Sequence, residues 1–83
     1  LFQNYPNPFN PVTTISFGLG ESGPVQLAIY DILGNQVAQP VNESLSAGRH
    51  SIDFAGTSLP SGIYFYRLNA EGKTVVKKMT LLK

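Results

Sequence analysis

Apolar and polar residues alternate in several short stretches of the chain, which is the pattern of β-strands buried on one face. Three series predict inward-facing side chains: Ile15, Phe17 and Leu19; Val25, Leu27 and Ile29; and His50, Ile52 and Phe54. Residues that favour turns cluster between the series, at intervals of roughly 8 to 12 residues. The pattern therefore predicts an all-β chain that forms an antiparallel β-sandwich of about seven short strands.

The segments between these series depart from simple alternation. Residues 4–11 contain three prolines, which predict a stiff, extended lead-in to the first strand. Residues 31–35 predict the turn of a hairpin whose second strand is short and centred on Val37, followed by a polar stretch over 42–48. The apolar positions of residues 73–83 fall out of phase, so we expect a β-bulge or a late strand break there.

Residues 63–68 carry large side chains on both faces, which suits a central strand that is partly covered on its second side. Gly62 and Tyr64 stand at the start of this strand, directly after a loop that contains Pro60. Tyr64 is therefore either a tyrosine corner, whose hydroxyl bonds to upstream backbone, or a plain core tyrosine. The sequence leaves both interpretations open.

Length and composition narrow the class of protein. Eighty-three residues hold one hydrophobic core, so we expect one domain over residues 1–83. A net charge of +1 gives no field that would attract nucleic acid or an anionic membrane, and no apolar run approaches the ~20 residues of a membrane-spanning helix. Because the chain begins at Leu1 without a signal peptide, we expect one upstream in a longer parent.

The sequence offers no catalytic, cofactor or metal site. Cysteine is absent, so thiol nucleophiles, disulfides and thiolate metal sites are excluded. His50 is the one histidine, and it lies three residues from Asp53, so the two side chains point to opposite faces of a strand and cannot form a triad. The five acidic residues stand about ten apart, without the spacing of a calcium loop. We therefore expect a protein that is not an enzyme.

The one charge asymmetry lies at the end of the chain, where four lysines occur with no acid among them: Lys73, Lys77, Lys78 and Lys83. No arginine cluster or interleaved aromatic accompanies them, which argues against a nucleic-acid site. Elementary physics favours a solvated edge strand whose lysines discourage aggregation. The alternative is an edge that a partner strand extends by β-augmentation.

Two aromatic pairs suggest a minority hypothesis of carbohydrate binding. Tyr64 with Tyr66, or Tyr5 with Phe9, could form a platform on which sugars stack. Tryptophan is absent and no polar partners for sugar hydroxyls stand nearby, so the pairs fit core packing better.

Five blocks of the chain together resemble one family, in order and over essentially the whole length. The blocks are residues 4–11 (NYPNPFNP), 27–34 (LAIYDILG), 47–50 (AGRH), 61–67 (SGIYFYR) and 77–83 (KKMTLLK). They resemble the type A C-terminal sorting domain of the type IX secretion system, a relative of the immunoglobulin-like domain of flagellar hook-capping proteins. One departure is Gly18-Leu19-Gly20, where the family usually has a leucine-proline turn; Gly20 can supply that turn.

This resemblance implies an immunoglobulin-like sandwich at the C-terminus of a larger secreted protein, with Lys83 as the natural end. Such domains address folded cargo from the periplasm to an outer-membrane translocon, and a surface sortase commonly cleaves upstream of them. The implied localisation is secreted or cell-surface, with no cofactor and with the activity carried by the upstream cargo domain.

Family motifs carry over onto ten positions as partner-recognition residues: Pro6, Asn7, Pro8, Gly62, Tyr64, Lys77, Lys78, Leu81, Leu82 and Lys83. We expect the last strand to pair with a receptor strand while its lysines fix register by charge, and self-association through the same strand is a further expectation. The alternatives are a self-assembling immunoglobulin-like scaffold domain and an accessory carbohydrate-binding module.

Overall fold

The computed structural model describes all 83 residues and contains six strands and no helix. The strands are β1 (Val12–Leu19), β2 (Gly23–Tyr30), β3 (Gln36–Leu45), β4 (Gly48–Ala55), β5 (Gly62–Ala70) and β6 (Lys73–Leu81). Strands β1 and β4 form one antiparallel sheet, and the second sheet has the order β3-β2-β5-β6. The predicted all-β sandwich is confirmed, with six strands where about seven were expected.

The order of strands is that of an immunoglobulin-like sandwich. In that fold the second and fifth strands pair in one sheet, and the third, sixth and seventh pair in the other. If the chain before β1 takes the place of the first strand, β1-β4 corresponds to B-E and β3-β2-β5-β6 corresponds to C′-C-F-G. In this comparison the irregular chain before β1 corresponds to the seventh strand that the sequence predicted.

The core lies between the two sheets and follows the alternation seen in the sequence. The series from β1 and β2 are buried, and in β4 Phe54 is buried while His50 and Ile52 are half-buried. Strand β5 turns Tyr64, Tyr66 and Leu68 inward. Its opposite face carries Phe65 and Arg67, which explains why the sequence showed large residues on both sides.

The N-terminal segment, residues 1–11, joins the two sheets. Its first part pairs with β1: Tyr5 and Thr14 exchange two backbone hydrogen bonds of 3.0 and 2.9 Å. Its second part runs parallel to β6, where Phe9 N–H donates to the Thr80 carbonyl and Leu82 N–H donates to the Phe9 carbonyl, both at 2.9 Å. The predicted lead-in is thus bonded along two strands, and the Phe9 side chain lies in the core.

Of the two alternatives expected for residues 73–83, the late strand break is confirmed, since β6 ends at Leu81, and the bulge is wrong. Strand β6 pairs with β5 in unbroken register, so it has no bulge. Its phase slip arises because Val76 lies on the outer face and Leu82 lies beyond the last strand residue. The irregular register occurs instead between β2 and β3, where Pro40 interrupts an edge strand and lacks the N–H of an ordinary residue.

Strand β3 is longer than the sequence predicted. It continues through residues 42–45, the beginning of the polar stretch that follows the short strand predicted around Val37. An edge strand buries little of its side-chain surface, so polar residues serve there as well as apolar ones. The β5–β6 connection, in contrast, has the two-residue turn that its sequence indicates, with positive φ at Glu71 (54°) and Gly72 (70°) as in a type I′ hairpin.

Candidate recognition surface

Two blocks that lie about 70 residues apart in the sequence meet on one side of the molecule, where the N-terminal segment contacts β6. The Asn7 side-chain carbonyl accepts a hydrogen bond of 3.0 Å from Thr80 N–H. The Gln3 side-chain amide donates to the Lys78 carbonyl at 2.8 Å. Eight of the ten positions predicted for recognition lie in the two segments that meet here; they are Pro6, Asn7, Pro8, Lys77, Lys78, Leu81, Leu82 and Lys83.

A small buried polar cluster holds the first of these blocks in place. Asn4 and Thr13 are the two buried polar residues, at 2% and 1% exposure. The Asn4 amide donates to the Thr13 hydroxyl at 3.0 Å, and the Thr13 hydroxyl donates to the Pro6 carbonyl at 2.8 Å. Because each buried polar group has a partner, the cluster fixes the backbone at Pro6 and leaves Asn7 and Pro8 exposed beside β6.

The lysines of this surface do not act as one patch. Lys77 is half-buried on the face that also carries the core residue Met79, whereas Lys78 is exposed on the outer face, opposite Phe65 of β5. Lys83 is tied back to the protein, because its ammonium donates to the Thr57 carbonyl at 2.7 Å and its backbone N–H donates to Ser61. Lys78 is thus the cation of this group that points freely outward.

The two leucines of the last block also differ in their surroundings. Leu81 is fully buried, while Leu82 is 53% exposed. Leu81 packs close to Gly56, where an added Cβ would lie 2.9 Å from a Leu81 methyl group. Leu81 can therefore influence a partner only through the fold, and Leu82 is the leucine whose side chain a partner could contact.

Gly62 and Tyr64 form a structural corner at the start of β5. The Tyr64 hydroxyl donates a 2.6 Å hydrogen bond to the Pro60 carbonyl, four residues upstream. The structure therefore decides for the tyrosine corner over the plain core tyrosine. Gly62 has φ 155° and pairs with Leu81, which brings the corner against the end of β6.

Tyr66 anchors the N-terminal segment to β5, a role that sequence reasoning missed. Its hydroxyl accepts a 2.8 Å hydrogen bond from Asn4 N–H and donates one of 2.9 Å to the Phe2 carbonyl. Tyr66 is fully buried, and burial raises the pKa of its phenol above the ordinary value, against the opposing effect of the Asn4 bond. Alternation shows that position 66 faces inward but carries no signal for a hydroxyl partner.

The outer edge of β6 is only partly open. In an antiparallel strand the N–H and C=O of alternate residues point to opposite edges, and Thr80 bonds to the N-terminal segment. The other even-numbered residues of β6 therefore point to the same outer edge. The segment covers this edge from Lys78 to Leu82, which leaves Thr74 and Val76 as its open part. A partner strand that extends β6 would have to bind there or displace the segment.

The residues weighed for other chemistry lie apart from one another. His50 stacks on Phe17 with ring centroids 5.6 Å apart, while Asp53 accepts a 2.8 Å hydrogen bond from Thr14 on the opposite, outer face. No group of three His, Asp or Glu residues is placed to hold a metal ion. No helix of the structure could cross a membrane.

The aromatic pairs considered for sugar stacking are not available at the surface. Tyr64 and Tyr66 are buried at 5% and 0% exposure. Tyr5 is 80% exposed, but Phe9 is buried and makes an edge-to-face contact with Phe54 at 6.3 Å. Neither pair presents two adjacent exposed rings.

The chain matches a known protein family. Among curated proteins, none matches the chain. A protein-family model described as "Secretion system C-terminal sorting domain" matches residues 3–81, which is nearly the whole chain and includes residues 3–11 of the N-terminal segment and all of β6. The chain therefore belongs to the family of secretion system C-terminal sorting domains, the type IX tails that its five sequence blocks resemble.

Proposed function

We propose that residues 1–83 form a single non-catalytic C-terminal domain that directs an attached cargo protein through the type IX system to the cell surface or the medium. The observation that carries this proposal is the family match over residues 3–81. Cargo would reach the periplasm first, then meet the outer-membrane translocon and a surface sortase. Activity would belong to the cargo, since the domain serves as an address.

The recognition surface of this proposal is the side where the N-terminal segment lies on β6. Asn7, Pro8, Lys78 and Leu82 are exposed there and are held in a fixed arrangement by the Asn7–Thr80 and Phe9–Leu82 bonds. A surface that is already folded and rigid loses little conformational entropy when a partner binds. An exposed lysine can orient that partner by charge complementarity. Lys77 would contribute less than Lys78 because it is half-buried.

Substitution tests this proposal better than truncation does. Removing residues 79–83 would delete Met79 and Leu81, which are both fully buried, so a loss of secretion would follow from unfolding alone. Replacing Lys77 and Lys78 by alanine keeps the core and removes two charges. Lys73→Ala removes one charge from an exposed position of β6 outside this surface and is the matched control for Lys78→Ala, which removes one charge from within it.

The experiment fuses residues 1–83 to a fluorescent protein that carries a signal peptide, in a bacterium with a working type IX system. We expect surface or medium fluorescence that disappears in a strain without the translocon. The Lys77→Ala/Lys78→Ala and Lys78→Ala variants should remain in the periplasm, while the Lys73→Ala control should be exported. Periplasmic retention of the unaltered fusion, with the domain shown to be folded, would contradict the sorting function and favour a scaffold domain. Equal export of all three variants would contradict only the recognition surface.

A further inference from the structure

The outer edge of β4 is unpaired along its whole length. Thr14 and Ser16 bond to the N-terminal segment, so the odd-numbered residues of β1 bond to β4, and their β4 partners are even-numbered. The backbone N–H and C=O groups of the remaining β4 residues therefore point away from the protein, and these residues are Arg49, Ser51, Asp53 and Ala55. Their side chains are exposed on the outer face of the sheet.

The charges along this edge are symmetric about Ser51. Arg49 lies two residues before Ser51, and Asp53 lies two residues after it. If a second copy of β4 paired antiparallel with Ser51 opposite Ser51, Arg49 of each copy would face Asp53 of the other. Opposite charges in facing positions of an antiparallel pair stabilise it, and the same contacts repeat across a two-fold axis.

The other strand edges do not have this symmetry. Strand β6 carries lysines without an acid, so two antiparallel copies would bring like charges together. Strand β3 contains Pro40, which lacks an N–H, and its register is irregular. Strand β4 has neither proline nor a register shift and keeps regular pairing from Gly48 to Ala55.

We propose that the β4 edge is a self-association surface, on which a second copy of this chain pairs antiparallel through Arg49, Ser51 and Asp53. The two copies would join their two-stranded sheets into one four-stranded sheet. The association would be weak, since one short strand edge buries far less surface than a standard interface. It uses the side of the molecule opposite the proposed sorting surface, so it does not depend on the sorting function.

In the monomer both charged residues contact groups on the β1 side of β4 and keep part of their hydrogen-bonding capacity free. Asp53 accepts the Thr14 hydrogen bond through one carboxylate oxygen, which leaves the second oxygen for an arginine. The Arg49 guanidinium lies over the Phe2 ring at 4.6 Å, and a stacked guanidinium keeps its N–H groups available at its edge. Both side chains are thus exposed on the outer face but turn toward β1, and pairing requires Arg49 to leave the Phe2 ring and turn toward the second copy.

Complementary charge variants of the 83-residue chain test the proposal. In the Arg49→Asp variant residues 49 and 53 are both acidic, and in the Asp53→Arg variant both are basic. Because like charges then face each other, each variant should self-associate at least about tenfold more weakly than the unaltered chain. An equimolar mixture of the two variants restores every opposite pair and should associate about as well as the unaltered chain. Sedimentation equilibrium up to about 1 mM, the range of weak specific binding, measures these constants.

Amide hydrogen exchange locates the interface. Association should slow exchange at Ser51 and Asp53 as concentration rises, with no change at Thr74 and Val76 on the β6 edge. A chain that remains monomeric at about 1 mM would overturn the proposal. So would variants that associate like the unaltered chain, a mixture that associates no better than its components, or concentration-dependent protection on another edge. Near-ultraviolet circular dichroism of each variant confirms that the fold is kept.

Discussion

The two sides of the sandwich differ in whether their strand edges are paired. On one side, the N-terminal segment bonds to β1 and then to β6, and it closes the gap between the two sheets. On the other side, β3 and β4 end in unpaired edges. The N-terminal segment therefore pairs with an edge strand of each sheet, β1 and β6. No segment pairs with the outer edges of β3 and β4 on the opposite side.

This difference teaches that the N-terminal segment is part of the fold. Phe9 is among the most buried residues of the core, and Asn4 forms the buried polar cluster with Thr13. Small domains have few core side chains to spare, so a contribution of this size matters for stability. The closed side should consequently be the stable side, and changes to the segment should have larger effects than changes at β3 or β4.

The largest effect is expected from Phe9→Ala. The substitution removes a buried aromatic ring that contacts Phe54, and it should lower the free energy of unfolding by about 3–5 kcal/mol. Tyr5→Ala is the matched control in the same segment; since Tyr5 is 80% exposed, its effect should stay within about 0.5 kcal/mol. Urea denaturation measures both. Equal effects of the two substitutions would contradict the role assigned to Phe9.

Tyr66→Phe should have the next largest effect. It leaves Asn4 N–H and the Phe2 carbonyl without their partner, at a cost of about 1–3 kcal/mol for a buried unsatisfied group. The pKa of the Tyr66 phenol is raised above its ordinary 10.0, so its contribution is complete below pH 10 and is lost as pH rises beyond that value. The stability difference between the variant and the unaltered chain should therefore narrow at alkaline pH. A difference that is the same at neutral and at alkaline pH would rule out this role.

Tyr64→Phe should cost about 1 kcal/mol, the net value of one hydrogen bond to the backbone. Tyr64 lies at the corner before β5 and does not contact the N-terminal segment through its hydroxyl, so amide exchange in that segment should stay unchanged. Tyr66→Phe should speed exchange at Tyr5 and Phe9. If the two variants loosened the segment equally, the specific anchoring by Tyr66 would be disproved.

The smallest effect is expected at the β2–β3 turn, near the open side. The Asp31 carboxylate accepts backbone hydrogen bonds from Asn35 and Leu33, both at 2.9 Å, and these bonds lower its pKa below 3.8, the Asn35 bond most strongly. Its contribution to stability is thus present above pH 3.8 and is lost as pH falls through the lower folded value. Asp31→Ala should loosen the turn less than Tyr64→Phe weakens the fold. Turn chemical shifts that do not respond to acid would argue against this contribution.

Much of the fold could be predicted because burial imposes a period of two on strands. Residues such as Phe17 and Leu27 were assigned correctly since one face of each strand meets the core. The length of β3 could not be predicted, because its polar residues satisfy backbone pairing without burying apolar surface. The immunoglobulin-like order of strands could be predicted only from the resemblance to a known family, because alternation does not show which strands are neighbours.

Less of the candidate surface could be predicted. The sequence indicated residues 6–8 and 77–83 as separate blocks, and only the folded chain brings them side by side. That contact depends on hydrogen bonds of Asn4, Thr13 and Tyr66, which the alternation of apolar and polar residues does not reveal. Burial of Leu81 and the tethering of Lys83 are likewise tertiary effects. The role of all ten residues in recognition stays a prediction.

Amide hydrogen exchange of the dilute 83-residue chain, followed by NMR, tests the difference between the two sides most directly. The N–H groups of Tyr5, Phe9 and Leu82 should be protected, as in regular strands. In β4, His50 and Ile52 should be protected while the intervening Ser51 exchanges fast. Fast exchange at Phe9 and Leu82, or slow exchange at Ser51 in the monomer, would contradict a sandwich that is closed on one side and open on the other.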